Sequence, residues 1–231
     1  MRTRWIVGAL LLVALAYGGI RILYRAERAV LNVEIAIYIA TPEGEARFSE
    51  VNVLRLRQDK GAIVVTSARG IHSEVTGEAV VLELGERISL AQITDLRSTL
   101  ISAYWTGEEI DESSPRRWAK RIRNTEGARS VPENRWPQFY TFDDPTDPIT
   151  VRQIRAEDFA NEFGSGFSVA DVTVRAIEVE PQMGSLAAAL PWFEDYHEKS
   201  LFLDGEKRFS VRVNASLPEK LDTKRFLKGD K

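Results

Sequence analysis

The sequence predicts a β-rich α+β domain of antiparallel hairpins and a few short helices, standing behind one N-terminal transmembrane helix. Three observations predict it: an uncharged apolar stretch near the start, strict alternation of apolar residues over 31–40, and helix-capping signals at only a few places.

From Trp5 to Ile20 no side chain is charged or strongly polar, and Ile22, Leu23 and Tyr24 continue past a single Arg21. At about 1.5 Å per residue the stretch 5–24 covers about 30 Å as a helix, the thickness of a bilayer's hydrocarbon core. Arg21 sits where its long stem can snorkel to the interface, and Trp5 sits at the opposite edge, where amphipathic rings prefer to lie. Ala14 and Gly18, four apart, share one small-residue face on which another helix can dock. Residues 1–28 are therefore expected to be a membrane anchor with the N-terminus in the cytoplasm. The alternative is a cleavable signal peptide, because Arg2 and Arg4 precede the apolar run and Ala14-Leu15-Ala16 has the form of a cleavage site. The apolar run continues past that site, which favours the anchor.

Residues 29–216 are expected to form one domain. Leu31, Val33, Ile35, Ile37 and Ile39 alternate with smaller or polar residues, a period of two that puts one face of a strand on a core. Thr41-Pro42-Glu43-Gly44-Glu45 supplies turn residues, and Val51 to Arg57 resumes an extended pattern, so a hairpin is expected. Within that second strand the apolar parity changes from Val51 and Val53 to Leu54 and Leu56, which predicts a bulge. Further strands are expected at 62–66, 79–84, 172–179 and 209–213. Ser114 as N-cap with Pro115 at the first position opens a helix to about Arg123. A second helix over 156–163 is closed by Gly164, a third covers 185–190, and a short turn follows at 191–198. Residues 217–231 are polar and are expected to be a mobile tail.

Composition excludes several chemistries. The chain of 231 residues has a net charge of −3, and without residues 1–28 the remainder holds 26 basic against 33 acidic side chains. Such a balance makes no field that draws a protein onto nucleic acid. With no Cys and two His, the chain has no thiolate for a zinc or iron–sulfur site, no disulfide and no cysteine nucleophile. His197-Glu198 lacks the second His of a helical zinc motif, since Leu201 stands there, and His72 sits near no nucleophile elbow. Asp143, Asp144 and Asp147 do not follow calcium-loop spacing and are expected to form Asx turns beside their prolines. Cofactors, metals and small-molecule ligands are not expected.

The candidate contact residues are Arg116, Arg117, Lys120 and Arg121, which make one face of an amphipathic basic helix while Trp118 and Ile122 form another. Glu108, Glu109, Asp111 and Glu112 precede it and can pair with it. Trp136 and Tyr140, in an aromatic run between Pro132 and Pro145, are candidates for stacking on a partner, although aromatic residues in a strand beside Pro more often pack in a core at a sheet edge.

Two stretches, Val75-Thr76-Gly77-Glu78-Ala79-Val80-Val81-Leu82-Glu83-Leu84-Gly85 and Thr141-Phe142-Asp143-Asp144-Pro145-Thr146-Asp147-Pro148 leading through Glu157-Asp158 and Phe163-Gly164 to Leu190-Pro191-Trp192, carry a resemblance. Together they resemble a group of uncharacterised, mostly proteobacterial membrane-anchored proteins whose extracytoplasmic part begins with a strand and a turn like Thr41-Pro42-Glu43-Gly44. The resemblance implies an envelope location and no activity, cofactor or catalytic residue. The expectation is a non-catalytic, single-pass inner-membrane protein with a periplasmic domain that binds other membrane or periplasmic proteins. Its rivals are a glycan hydrolase using two carboxylates, for which no spacing nominates a pair, and a secreted binding protein.

Overall fold

The computed structural model describes residues 26–60, 70–107 and 114–228. Trp5, Ala14, Gly18 and Arg21 lie outside the described residues, as does the strand expected at 62–66. No helix among the described residues is long and apolar enough to cross a membrane.

The alternating run forms strand β1 (Ala26–Thr41), which begins inside the segment assigned to the anchor. It turns at Pro42 and Glu43 into β2 (Gly44–Asp59), with Thr41 opposite Gly44 and Ala26 opposite Asp59. The register is unbroken from end to end, so the bulge expected in β2 is not there. Leu54 and Leu56 lie opposite Leu31 and Ala29, while Val51 and Val53 belong to the other face, where Val53 is also buried. The parity change records a strand that buries apolar residues on both faces. The register shift in this sheet falls instead between Tyr38 and Ile39, against β9 (Ser168–Ile177).

With β3 (His72–Glu78), β6 (Arg129–Ser130) and β10 (Leu227–Lys228) these strands make a six-stranded antiparallel sheet in the order β10-β3-β2-β1-β9-β6. After β3 the chain crosses at Ala79 into a second sheet of β4 (Val80–Leu84), β5 (Arg87–Gln92), β7 (Gln138–Phe142) and β8 (Val151–Ile154), in the order β4-β5-β7-β8. Both faces of this small sheet are buried. Val80, Leu82, Ala91, Phe139 and Ile154 join Leu31, Val33, Ile35, Ile37, Ile39, Leu54 and Leu56 in the first core. Leu90, Tyr140, Phe142 and Val151 join Leu186, Leu190, Phe193, Leu203, Leu221 and Phe226 in the second. Each fully buried large apolar side chain contributes about 1.5–3 kcal/mol.

Helix α1 (Leu96–Tyr104), which the sequence reading missed, starts at Asp95, whose carboxylate accepts the Ser98 N–H at 3.0 Å. Helix α2 (Pro115–Asn124) is the expected one, with Ser114 as its N-cap. The helix expected over 156–163 divides into a 3₁₀ turn and α3 (Phe159–Phe163), closed by Gly164 at φ +111°. Helix α4 (Ser185–Ala189) and α5 (Phe193–Lys199) follow.

Two other expectations fail. Residues 209–213 form no strand, and Phe209 and Val213 are exposed, because their alternation meets no second layer. The supposed tail is packed as far as Lys228: α6 (Leu217–Lys220) is opened by a capping box between Ser216 and Glu219, Leu221, Phe226 and Leu227 are buried, and β10 pairs with β3.

Gly77, in β3, has φ +147°, and a Cβ there would stand 2.6 Å from the Asn52 side chain. Asn52 is buried and donates to the Glu78 carbonyl at 3.1 Å, so it cannot retreat. Gly77→Ala is expected to lower the unfolding free energy by about 2–4 kcal/mol in urea denaturation, with the slope unchanged.

Candidate functional site

Helix α2 owes its position to one stripe of the sequence. Trp118, Ala119 and Ile122 are buried, and Trp118 stacks on Trp105 with ring centroids 5.3 Å apart. Arg121 lies over the Trp105 ring at 4.8 Å and donates to the Tyr104 carbonyl at 3.3 Å, so this cation belongs to the packing of the helix. Arg123 donates to the Val30 carbonyl and ties the end of the helix to β1. Arg116, Arg117 and Lys120 are exposed and point away from the core.

The first turn of α2 is held by Glu27, the second residue of β1. Its carboxylate accepts the Arg116 N–H at 3.2 Å and the Ser114 hydroxyl, and it pairs with Lys60. Burial by itself would raise this carboxyl, but the bonds from Lys60, Ser114 and the Arg116 N–H outweigh it and bring it down to about 2. The acidic run Glu108 to Glu112 lies outside the described residues.

Trp136 and Tyr140 are not brought to this face. Tyr140 is 1% exposed, meets Phe226 edge-on at 5.2 Å and donates its hydroxyl proton to Gln138 at 2.7 Å, so its ring is unavailable to a partner. Its strand is interior, between β5 and β8, not at an edge. Trp136 is half-buried, donates from Nε1 to the Val131 carbonyl at 2.8 Å, and lines an open groove of about 510 Å³ with Gln138 and Gln153. The aspartates form turns: Asp144 accepts the Thr146 N–H at 2.8 Å, Asp147 accepts the Ile149 N–H at 3.0 Å, and Asp143 pairs with Arg152 at 2.7 Å.

The constellation that sequence reasoning did not find joins Glu50 of β2, Glu78 of β3 and Ser185 of α4. Glu78 is 5% exposed and accepts the Gly184 N–H at 2.8 Å and the Leu186 N–H at 3.2 Å. The Ser185 hydroxyl oxygen lies 2.5 Å from Glu78 and 3.1 Å from Glu50. A hydroxyl carries one proton. If Ser185 donates to Glu78, the contact with Glu50 is a hydrogen bond only when Glu50 is protonated and donates to Ser185. Burial pushes the Glu50 carboxyl up, and the charge of Glu78 adds to it. His197 lines the adjoining groove of about 440 Å³ with Glu78, Phe193 and Glu194, and its Nδ1 stands 3.2 Å from the Thr223 hydroxyl. The residues of this cluster are far apart in sequence and joined by no local motif, so only the fold brings them together.

Comparison with protein-family models, with curated protein sequences and with solved structures finds no match. The resemblance in the sequence therefore rests on its own residues.

Two pH effects of opposite sign follow. Glu27 is held below the ordinary 4.5, so its contribution is complete above that value and is lost as pH falls from there toward about 2. Glu27→Gln is expected to cost about 1–2 kcal/mol at neutral pH and to remove that acid limb from the unfolding free energy. Glu50 is held above 4.5, so its contribution is complete below that value and is lost as pH rises through the higher folded value. Glu50→Gln, whose amide still donates to Ser185, is expected to flatten that second limb. Denaturant titrations across the pH range measure both.

Proposed function

We propose that the chain is a single-pass, membrane-tethered protein of the bacterial inner membrane whose domain stands in the periplasm and serves, without catalysis, as a protein-binding accessory subunit of a membrane complex. The observation that supports this reading is the bond between Glu27 and the first turn of α2. Glu27 follows the apolar stretch 5–24 by three residues, and an extended chain covers at most about 3.6 Å per residue, so Glu27 stands within about 11 Å of that stretch. The exposed cations Arg116, Arg117 and Lys120 are thereby presented beside the tether, on an otherwise acidic body. A basic face at that level suits the acidic juxtamembrane segment of another membrane protein, where complementary charge steers association.

The hydrolase reading has one observation in its favour, the approach of Glu50 and Glu78 to one hydroxyl beside a groove of about 440 Å³. It expects the purified full chain to release reducing ends from cell-wall glycan and Glu78→Gln to abolish that release.

For the tethered reading, mild detergent extraction of the full chain from native membranes is expected to bring a partner with it. Charge reversal of Arg116, Arg117 and Lys120 together is expected to lose the partner and to change the unfolding free energy by no more than about 0.5 kcal/mol, since all three are exposed. Recovery of the intact chain in the soluble fraction after cell breakage would overturn the reading.

A further inference from the structure

The junction of β2, β3 and α4 contains more hydrogen bonds than it has protons for when both of its carboxyl groups are ionised. Glu78 accepts the Gly184 N–H and the Leu186 N–H, and Glu50 Oε1 accepts the Val51 N–H at 3.1 Å. Between the two glutamates stands the Ser185 hydroxyl, within bonding distance of Oε2 of each. Two hydrogen bonds from one hydroxyl oxygen to two carboxyl groups need two protons, and Ser185 supplies one of them. Glu78 gives its other lone pairs to backbone donors, so the second proton belongs to Glu50. Glu50 is half-buried, which leaves water a route to remove that proton.

Among the described residues, Glu78 is the charge that bears on Glu50. Asn52 shares its face of β2, and Ile35 stands opposite it on β1. Glu34, Arg47 and Arg175 pair with one another on the outer face of the same sheet. Glu194, His197 and Glu198 of α5 line the groove beyond Glu78.

The segment that carries the hydroxyl is held by few contacts. After β9, residues 178–184 form neither helix nor strand, and all of them but Pro181 are exposed. Asn32 donates to the Val179 carbonyl at 3.0 Å, and Gly184, at φ +115°, turns the chain into α4. Helix α4 has five residues, too few to keep its shape without its neighbours. Those neighbours are Glu78, which takes three bonds, Glu50, which shares the hydroxyl, and the second core, in which Leu186 and Leu190 are buried.

We infer that residues 180–190 are a pH-operated strap, shut over the second core while Glu50 holds its proton and opening when Glu50 ionises. The sign follows from linkage. Burial, and then Glu78, push the Glu50 carboxyl up in the shut form, and it falls back toward the ordinary 4.5 when the strap is open. The shut form is therefore favoured in acid and loses that advantage as pH rises through the higher shut-state value. One proton is exchanged, so the opening constant rises by up to about tenfold per pH unit over that interval and is level on either side of it. The strap does not depend on where the apolar stretch 5–24 lies.

Amide hydrogen exchange of the full chain in detergent, followed from about pH 4 to about pH 8 and corrected for the intrinsic exchange rate, tests it. The Gly184, Leu186, Ala188 and Leu190 N–H groups, all bonded in the shut form, are expected to lose protection by about tenfold or more across that range while those of β1 keep theirs. Glu50→Gln, which keeps a donor toward Ser185 at every pH, is expected to hold the strap shut with no pH dependence. His197→Asn, which removes the titrating ring of α5, is expected to leave the loss unchanged. Protection over 184–190 that does not change with pH overturns the inference, as does a loss that survives Glu50→Gln or disappears in His197→Asn. A loss shared equally by β1 is unfolding of the whole domain and overturns it too.

Discussion

The four-stranded sheet has two apolar faces, and neither can be left to water. Everything else in the domain is arranged to cover it. The six-stranded sheet, with α1, α2 and α3, closes one face, and the helical segments after residue 184 close the other. A sheet buried on both sides forces three layers, so the strands that cover it must themselves carry a polar outer face. On the long hairpin that outer face holds Glu34 between Arg47 and Arg175, at 2.8 Å and 2.5 Å, charges that stay wet while Leu31 to Ile39 stay dry.

The seam between the layers is where polar groups have to be managed. Beside the crossing at Ala79, which links the two sheets, Asn52 of β2 and Glu78 of β3 are buried polar side chains, with Glu50 half-buried next to them. Glu78 satisfies backbone donors at the start of α4 that would otherwise be orphaned, and so fastens the third layer to the first. The same logic operates at the other end of the hairpin, where Glu27 satisfies the start of α2. Two buried or half-buried glutamates, Glu27 of β1 and Glu78 of β3, thus dock two helices on the same sheet.

How much of this the sequence displays depends on how local each signal is. The alternation in β1 and the caps at Ser114 and Gly164 are written within a few residues, and the structure places strand and helices there. The middle sheet is harder to read, because strands covered on both faces show runs such as Ala79-Val80-Val81-Leu82 without a period; the aromatic run of β7 reads as a core strand but at an edge, and β5 carries no signal that the sequence reading uses. The parity change in β2, which predicts a bulge, has the same origin: both faces of the strand bury apolar residues and the register stays unbroken. At 209–213 the opposite error occurs: an alternating pattern exists but no layer faces it. The closing segment looked like a tail because its buried residues, Leu221, Phe226 and Leu227, are few among lysines. The Glu50, Glu78 and Ser185 cluster has no local signature, since its members come from separate elements.

The pairing of β10 with β3 joins residues about 150 positions apart along the chain. Until residue 228 has been synthesised, the outer rim of β3 offers unsatisfied backbone groups and the second core lacks Phe226 and Leu227 as its lid. A nascent polypeptide of this kind cannot complete its fold progressively from the front; it has to stay shielded from its neighbours until the closing strand arrives, and the duration of that exposure is set by the time needed to make the whole domain.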